Sequence, residues 1–332
     1  MKPAGLTDVL IKEEAETDPG YGCPPENRDI KTHLNDGIVN IDKPAGPNSH
    51  QVTTWVKEIL ELPKTGHSGT LDPKVTGVLP VALGNATKIV KVLLLSDKEY
   101  VCLMSLHDTA PKDRLEKIFH ELQGPIFQTP PIMSAVKREL RIRNIYELRL
   151  LERNGKEILY KVRCEAGTYI RKLCHDMGII LGTGAHMHEL RRTKAGSFDE
   201  TSLVILQDLK DAYVAYKETG DETRLRKLVL PVEAGVKNIR KIWIKDSAID
   251  AICHGADLNA PGISLLEKNI NKNDPVALMS LKNELVALAK ANYASEDLQK
   301  MQKGPAATLV RVIMEANTYP KQWHKNKAEK TA

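Results

Sequence analysis

The texture of the chain changes at residues 231–235, and this change constrains the architecture more than any other feature. Upstream of it, helical and strand periods are interleaved. Residues 34–41 read as a turn (Asn35-Asp36-Gly37) running into a strand, followed by a Pro/Gly loop through Pro47. Ser49 is the expected N-cap of a helix, because Val52, Trp55, Val56, Ile59 and Leu60 follow at helical spacing before Pro63. Residues 78–83 and 100–106 read as strands, and residues 86–94 and 113–122 as helices. Residues 158–166 alternate as a strand. The helix expected over 168–181 turns Ile170, Leu173, Met177 and Ile180 inward. Residues 196–209 read as a strand–turn–helix return. Downstream the elements are short strands at 241–245, 275–281, 285–291 and 307–315, the middle two paired as a hairpin around Lys282-Asn283. Short, evenly spaced strands with Gly-Pro punctuation build a small β-barrel.

At about 150 residues per domain, 332 residues make two domains, each with its own core. The expected boundaries are an N-terminal tail at 1–30, a mixed domain at 31–234, a barrel at 235–320 and a basic tail at 321–332. The net charge of +5 permits a nucleic-acid partner without predicting one. Cys23, Cys102, Cys164, Cys174 and Cys253 are odd in number and lack CxxC spacing, which argues against a disulfide framework and for a reducing compartment. His186 and His188 have no cysteine pair beside them, so no zinc site is expected. The polar, Pro/Gly-rich N-terminus lacks the apolar core of a secretory signal, and residues 89–95 are too short to span a bilayer.

The most informative stretch is Gly66-His67-Ser68-Gly69-Thr70-Leu71-Asp72-Pro73, continuing through Lys74-Val75-Thr76-Gly77-Val78-Leu79-Pro80. Its glycines allow close approach of backbone, and Pro73 drives Asp72 toward an extended conformation. A carboxylate held rigidly on a loop suits covalent or acid–base chemistry. Taken alone, an Asp-Pro pair in a glycine-rich loop is more often simple turn chemistry. Neither a nucleophile elbow, nor a dinucleotide fingerprint, nor a Walker A loop is present.

This stretch resembles the catalytic motif of the TruB-type family of pseudouridine synthases. Asn40-Ile41-Asp42-Lys43-Pro44, Lys98-Glu99-Tyr100, Gly167-Thr168-Tyr169-Ile170-Arg171 and Leu190-Arg191-Arg192-Thr193 resemble further motifs of that family, in the same order. The likeness covers roughly residues 35–205 and is strongest to the archaeal and eukaryotic dyskerin branch. It implies an α+β fold, a catalytic domain on a mixed, mainly antiparallel sheet followed by the small barrel. It also implies a set of roles. Asp72 attacks the target uridine, at a point the sequence does not settle. Arg171 pairs with Asp72 and favours its charged form. Tyr100 stacks on the base and takes part in proton transfer. His67 and Lys98 hold the extruded nucleotide, and Leu190 lines its pocket. No metal or organic cofactor is implied.

Residues 137–153 carry six Lys/Arg against three Glu, so Arg141 and Arg143 are candidate phosphate contacts, although a solvated basic face fits the charge equally well. Lys43, Arg191 and Arg192 form a second basic group near the expected pocket. The barrel resembles a PUA RNA-binding domain through residues 252–258, which include His254 and Gly255, and through Pro261-Gly262-Ile263. In dyskerin-like enzymes that module grips the single-stranded end of a guide RNA, and the N-terminal tail packs on it. The resemblance implies as partners an H/ACA guide RNA, substrate rRNA or tRNA, Gar-type and Nop-type small subunits and a kink-turn-binding ribosomal-like protein, with no membrane. Without long Lys-rich tails, the archaeal cytoplasm is expected, and the nucleolus only for a eukaryotic member. Two alternatives stay open: a guide-independent synthase acting on the tRNA T-loop, and a non-catalytic scaffold for H/ACA RNA.

Overall fold

A computed structural model describes residues 8–130 and 137–321. The basic tail expected at 321–332 lies, apart from Lys321, outside the described residues. The chain divides into two compact units, Ile38–Val229 and the combination of Met1–Gly37 with Leu230–Ala332.

The first unit is built on a mixed, mainly antiparallel sheet. Its strands of three or more residues are β1 (Gly37–Lys43), β2 (Thr65–His67), β3 (Thr76–Leu83), β4 (Lys98–Leu106), β5 (Gly124–Gln128), β6 (Arg141–Asn154), β7 (Glu157–Cys164) and β8 (Ala185–Ala195). Across the sheet they run β1-β3-β8-β4-β7-β6-β5, with β2 added to β3. Strands β3 and β8 pair in parallel, at Thr76↔Arg191 and Gly77↔Arg192. The near-continuous apolar run of β3 suits a strand covered on both faces, and seven of its eight residues are buried. Helix α1 (Ser49–Ile59) lies in the β1–β2 connection, α2 (Lys112–Glu121) precedes β5, and α3 (Ile170–Leu181) precedes β8. The core joins Cys102 and Met104 of β4, Tyr160 and Val162 of β7, and Leu173, Cys174 and Met177 of α3. No disulfide links the five cysteines.

Two local expectations are corrected. The N-cap of α1 is Asn48, whose side chain accepts from the Gln51 N–H while the Gln51 side chain caps in return. Ser49 is fully buried and serves another purpose, described below. On α3 the inward residue of the last turn is Leu181, whereas Ile180 is exposed. There the helix presses its backbone onto the start of β8. A Cβ added at Gly178 would come within 2.2 Å of the Ala185 nitrogen, and this approach turns Leu181 toward the core. The basic stretch 137–153 is mostly strand β6, paired with both β5 and β7. Only Ile145 and Leu148 of that strand are fully buried, so its charges hid its period.

The second unit is a small half-barrel of seven short strands. Their order is Val9–Ile11, Ile263–Glu267, Arg240–Ile244, Pro275–Met279, Leu285–Ala291, Pro305–Val312 and Leu258–Asn259. The expected hairpin forms between 275–279 and 285–291, with Asn283 in its turn at φ 64°. Ile242, Ile249, Leu278, Val286 and Leu298 are among its core residues. The N-terminal segment from residue 8 onward is part of this unit. Val9 pairs with Glu267 and Ile11 with Leu265. The Lys12 ammonium donates to the carbonyls of Leu298, Gln299 and Met301. Arg28 makes a two-pronged ion pair with Glu233, at 2.7 and 3.0 Å. A short acidic, proline-rich segment gains order here because a sheet edge and buried carboxylates accept its backbone. Among the described residues, no helix is long and apolar enough to cross a membrane.

Candidate active site

The loop between β2 and β3 is pinned at four points. Leu71 and Val75 are buried, so apolar anchors flank Asp72 on both sides. The Leu71 N–H donates to the buried Ser49 hydroxyl at 2.7 Å, and that hydroxyl lies 3.2 Å from the Leu71 carbonyl it donates to. The Lys43 ammonium donates to the carbonyls of Pro44, Pro73 and Val75 at 2.8, 3.0 and 2.7 Å. The Gly46 N–H also donates to Pro73, and the Val75 N–H closes a turn onto the Asp72 carbonyl. Gly77, at φ 100°, then passes so close to β8 that a Cβ would sit 2.2 Å from the Arg192 carbonyl oxygen. A carboxylate carried by such a loop has little freedom to move.

Arg171 stands in the first turn of α3 and donates through Nη2 to Oδ2 of Asp72. Both side chains are about half exposed, 52% and 48%. A pair this wet contributes little to stability, roughly 0–1 kcal/mol; its consequence is to aim the carboxylate. The helix start is itself fixed. The buried Gln128 accepts from the Tyr169 N–H at 2.9 Å and donates to the Tyr169 carbonyl at 3.1 Å.

The pair sits on a cavity of about 650 Å³, a size that suits one small ligand. Its lining includes Asp72, Tyr100, Arg171, Tyr169, Leu190 and Arg192. Tyr100, 8% exposed, is pushed above the ordinary phenol range by burial, and Arg192 works in the opposite direction. Lys98 also lines the cavity, but its ammonium turns inward. It donates to the carbonyls of Leu93 at 3.0 Å and Ser96 at 2.5 Å, and burial pulls it down to about 7. It therefore braces the 93–96 turn that places the exposed Leu94 and Leu95 at the cavity.

His67 lies behind the loop, outside the cavity lining. Its Nδ1 accepts from the Gly69 N–H at 3.3 Å, and burial holds it below the ordinary imidazole range, with Arg192 adding to the effect.

The expected RNA-facing cations divide. Arg143 lines the cavity and pairs with Glu165 at 3.4 Å. Arg141 lies at the start of β6, with Nη2 donating to the Lys137 carbonyl. The other three basic residues are engaged by the protein itself. Lys43 is fully buried and clamps the loop. Arg191 is held by Asp42 at 3.0 Å and Glu200 at 2.7 Å. Arg192 is 1% exposed. A basic residue in a sequence motif shows charge, not the direction of its side chain: Lys43 and Arg192 point into the protein, and Arg191 is held by carboxylates nearer the surface. Ser49, Gln128 and Tyr169 were missed as site residues. Tyr169 sat inside a recognised motif, whereas Gln128 has no local signal at all.

In the second unit, His254 is half exposed and its Nδ1 lies 2.8 Å from the Asp250 carbonyl. Gly255 is exposed at φ 100° with open space where a Cβ would stand. Gly262 packs against Ala248, which a Cβ would meet at 2.9 Å.

A posted carboxylate, its guanidinium partner and a buried tyrosine around one cavity define a candidate active site. Comparison with known proteins agrees along the whole chain. Residues 57–170 match the N-terminal domain of TruB family pseudouridylate synthases, and 171–237 match the C-terminal domain of tRNA pseudouridylate synthase B. Residues 240–313 match the PUA domain and 4–53 the DKCLD (NUC011) domain. A protein of Methanosarcina barkeri described as a probable tRNA pseudouridine synthase B is 55% identical over 98% of each chain. The Archaeoglobus fulgidus protein of the same description is 53% identical over 96% of this chain and 98% of its own. Among solved structures, a Cbf5-Nop10-Gar1 complex aligns with TM-score 0.90 and 51% identity over 96% of this chain and 97% of the other. An H/ACA RNP bound to a substrate RNA containing 2′-deoxyuridine aligns with TM-score 0.89 and 48% identity over 97% and 100%. The chain belongs to the TruB family of pseudouridine synthases, in its dyskerin-like branch. It is an RNA-modifying isomerase carrying a PUA domain.

Proposed function

We propose that the chain is the catalytic subunit of an RNA-guided enzyme that converts uridine to pseudouridine in rRNA, and in tRNA where a guide directs it. The observation that carries this reading is the Asp72–Arg171 pair on a pinned loop at a cavity walled by Tyr100. The target uridine leaves its stack and enters the cavity. Asp72, aimed by Arg171, is the nucleophile. The N1–C1′ bond breaks, the uracil turns, and C5 bonds to C1′. Tyr100 packs on the base and handles a proton, and Leu190 supplies apolar wall. Lys98 and His67 support this pocket from behind. Arg141 and Arg143 meet RNA phosphates, and His254 and Gly255 lie on the guide-binding face of the PUA domain.

The organisation that fits is a catalytic domain over 31–234, a PUA domain over 235–320 completed by the N-terminal segment, and a basic tail at 321–332. The partners are an H/ACA guide RNA, Gar-type and Nop-type small subunits and a kink-turn-binding ribosomal-like protein, in an archaeal cytoplasm. The resemblance to solved Cbf5 and H/ACA complexes supports this assembly.

The test is tritium release from RNA labelled at uridine C5, since forming pseudouridine expels that hydrogen. Wild type releases it in the presence of guide and partners, and Asp72→Asn releases none while binding RNA normally. Release by Asp72→Asn at the wild-type rate would sink the nucleophile assignment. A second reading, a guide-independent tRNA synthase, is favoured by the description of the archaeal relatives; turnover of tRNA without guide RNA selects it. Tight guide binding without release by wild type selects a scaffold.

A further inference from the structure

The histidines of β8 have a partner that lies far away in sequence. His186 and His188 are both exposed, and neither has a cysteine pair beside it. His107, which directly follows β4, reaches them from the neighbouring strand. Its Nε2 stands 3.0 Å from Nδ1 of His186, with the ring centroids 5.2 Å apart. The His107 ring is seated by its backbone. The His107 N–H donates to the Gly184 carbonyl at 3.0 Å, and the His107 carbonyl accepts from the Lys156 ammonium at 2.8 Å. Gly184, at φ 68°, passes so close to the ring that a Cβ there would come within 2.7 Å of Nδ1. Asp108 lies 3.9 Å from the Lys156 ammonium, so these two charges offset each other. His188 is set apart from the pair. Leu103 faces Glu189 and Met104 faces Met187, so His188 occupies a bulge, and its ring centroid lies 6.4 Å from that of His186.

We propose that Nε2 of His107 and Nδ1 of His186 form a chelating site for a divalent transition-metal ion of the nickel(II) and copper(II) class, with water in the remaining positions. Neutral imidazole suits such ions. With metal–nitrogen bonds of ~2.1 Å, a nitrogen separation of 3.0 Å spans about 91° at the ion. That is the cis angle of square-planar and octahedral coordination, whereas tetrahedral zinc needs nitrogens ~3.4 Å apart. The same bond length puts each ring centroid ~3.2 Å from the ion, so cis imidazoles stand roughly 4.5–5.3 Å apart. His107 and His186 meet that range at 5.2 Å, and His188, at 6.4 Å from His186, falls outside it. Among the described residues, no three His, Cys, Asp or Glu side chains are gathered for a metal ion, so the protein supplies two nitrogens. The ion takes the lone pairs that the hydrogen bond now joins. When both rings are neutral, the proton on that contact moves to the other nitrogen of its own ring, and no net proton is released. Both rings are exposed and turn without disturbing the core. Neither lines the nucleotide cavity. Met187, which does, packs on the core, so His186 stands on the opposite face of β8.

The experiment is isothermal titration of the full chain with nickel(II) chloride. Wild type is compared with His107→Ala, His186→Ala, His188→Ala and the His107→Ala/His186→Ala double variant. Wild type is expected to take up one equivalent of nickel(II) that His107→Ala and His186→Ala each weaken by roughly tenfold or more, because a chelate loses its advantage when either arm is removed. The double variant is expected to stay within about threefold of either single variant, since the first substitution already breaks the chelate. His188→Ala is expected to stay within about threefold of wild type. At ten times the dissociation constant, nickel(II) is expected to raise the unfolding temperature of wild type by roughly 3–5 °C and to leave the double variant unmoved. No uptake by wild type, or uptake unchanged in either His107→Ala or His186→Ala, overturns the proposal. A loss in His188→Ala equal to that in the other two also overturns it, by removing the two-nitrogen geometry. Where a variant fails to fold, the imidazole C–H resonances of wild type decide. Paramagnetic nickel(II) is expected to broaden those of His107 and His186 first, and broadening that begins at other histidines overturns the assignment.

Discussion

Replacing Lys43 with methionine separates two meanings of a lysine in a catalytic motif. As an RNA contact, Lys43 loses affinity when its charge is removed; as a clamp, it loses loop geometry. The structure makes it a clamp, with three donors spent on the carbonyls of Pro44, Pro73 and Val75. In Lys43→Met the Pro73 carbonyl keeps the Gly46 N–H as donor, while the other two lose the bond Lys43 gave them. Each costs about 1–3 kcal/mol if left unsatisfied. Methionine offsets part of this, because burying a thioether avoids the desolvation that burial imposes on an ammonium. The net loss of stability is expected at about 1–3 kcal/mol. Turnover suffers more, since Pro73 and Val75 flank Asp72, and a misplacement of about 1 Å at the reacting group costs on the order of 10²-fold. Thermal unfolding, filter binding of guide and substrate RNA, and tritium release at saturating RNA measure the three quantities. Lys43→Met is expected to bind RNA normally and to turn over roughly 10²-fold more slowly. Weakened RNA binding with wild-type turnover at saturation would refute the clamp and restore the phosphate contact.

Further outcomes follow from the same geometry. Arg171→Ala is expected to change unfolding stability by less than about 1 kcal/mol, because the pair it breaks is half solvated, while tritium release falls by orders of magnitude; a stability loss well above that range would mean the pair braces the fold. Gly77→Ala forces a left-handed residue to carry a Cβ 2.2 Å from the Arg192 carbonyl; unfolding measurements should show a loss of roughly 3 kcal/mol or more, and a neutral result would contradict the close β3–β8 approach. Lys98 has a folded-state value near 7 against 10.5 ordinarily, so between these values the unfolded chain binds a proton that the folded chain does not. Its penalty is complete below pH 7 and is relieved as pH rises toward 10, at up to about 1.4 kcal/mol per pH unit. Chemical denaturation across that window should show wild type gaining stability relative to Lys98→Met as pH rises, and parallel curves would refute the assignment.

Asp72, Tyr100 and Arg171 could be picked out of the sequence as candidates because motifs are local, and the structure brings all three to one cavity. A glycine-rich turn ending in Asp-Pro, a lysine-x-tyrosine at a strand start and an arginine in the first turn of a helix each declare themselves within a few residues. The strand at 76–83 and the hairpin at 275–291 were legible for the same reason, through a continuous apolar run and a turn dipeptide. The long strand at 141–154 was not, because only Ile145 and Leu148 among its residues are fully buried and its charges obscure the alternation. Ser49 looked like a helix cap because a hydroxyl before an apolar helix has that signature; Asn48 takes the position one residue earlier, and Ser49 is left to hold Leu71.

By itself, then, the sequence singled out the candidate site residues and showed that a mixed unit is followed by a small β unit, since periodicity, turn residues and ordered motifs are properties of neighbouring positions. Tertiary structure alone decided which way each charged side chain faces. Lys43, Arg191 and Arg192 read as one basic surface, yet the first clamps a loop, the second is spent on Asp42 and Glu200, and the third is buried and donates to the Val78 carbonyl. The direction of a long side chain depends on partners that lie far away in sequence, Arg192 and Val78 being 114 positions apart, and no local pattern encodes a partner at that distance.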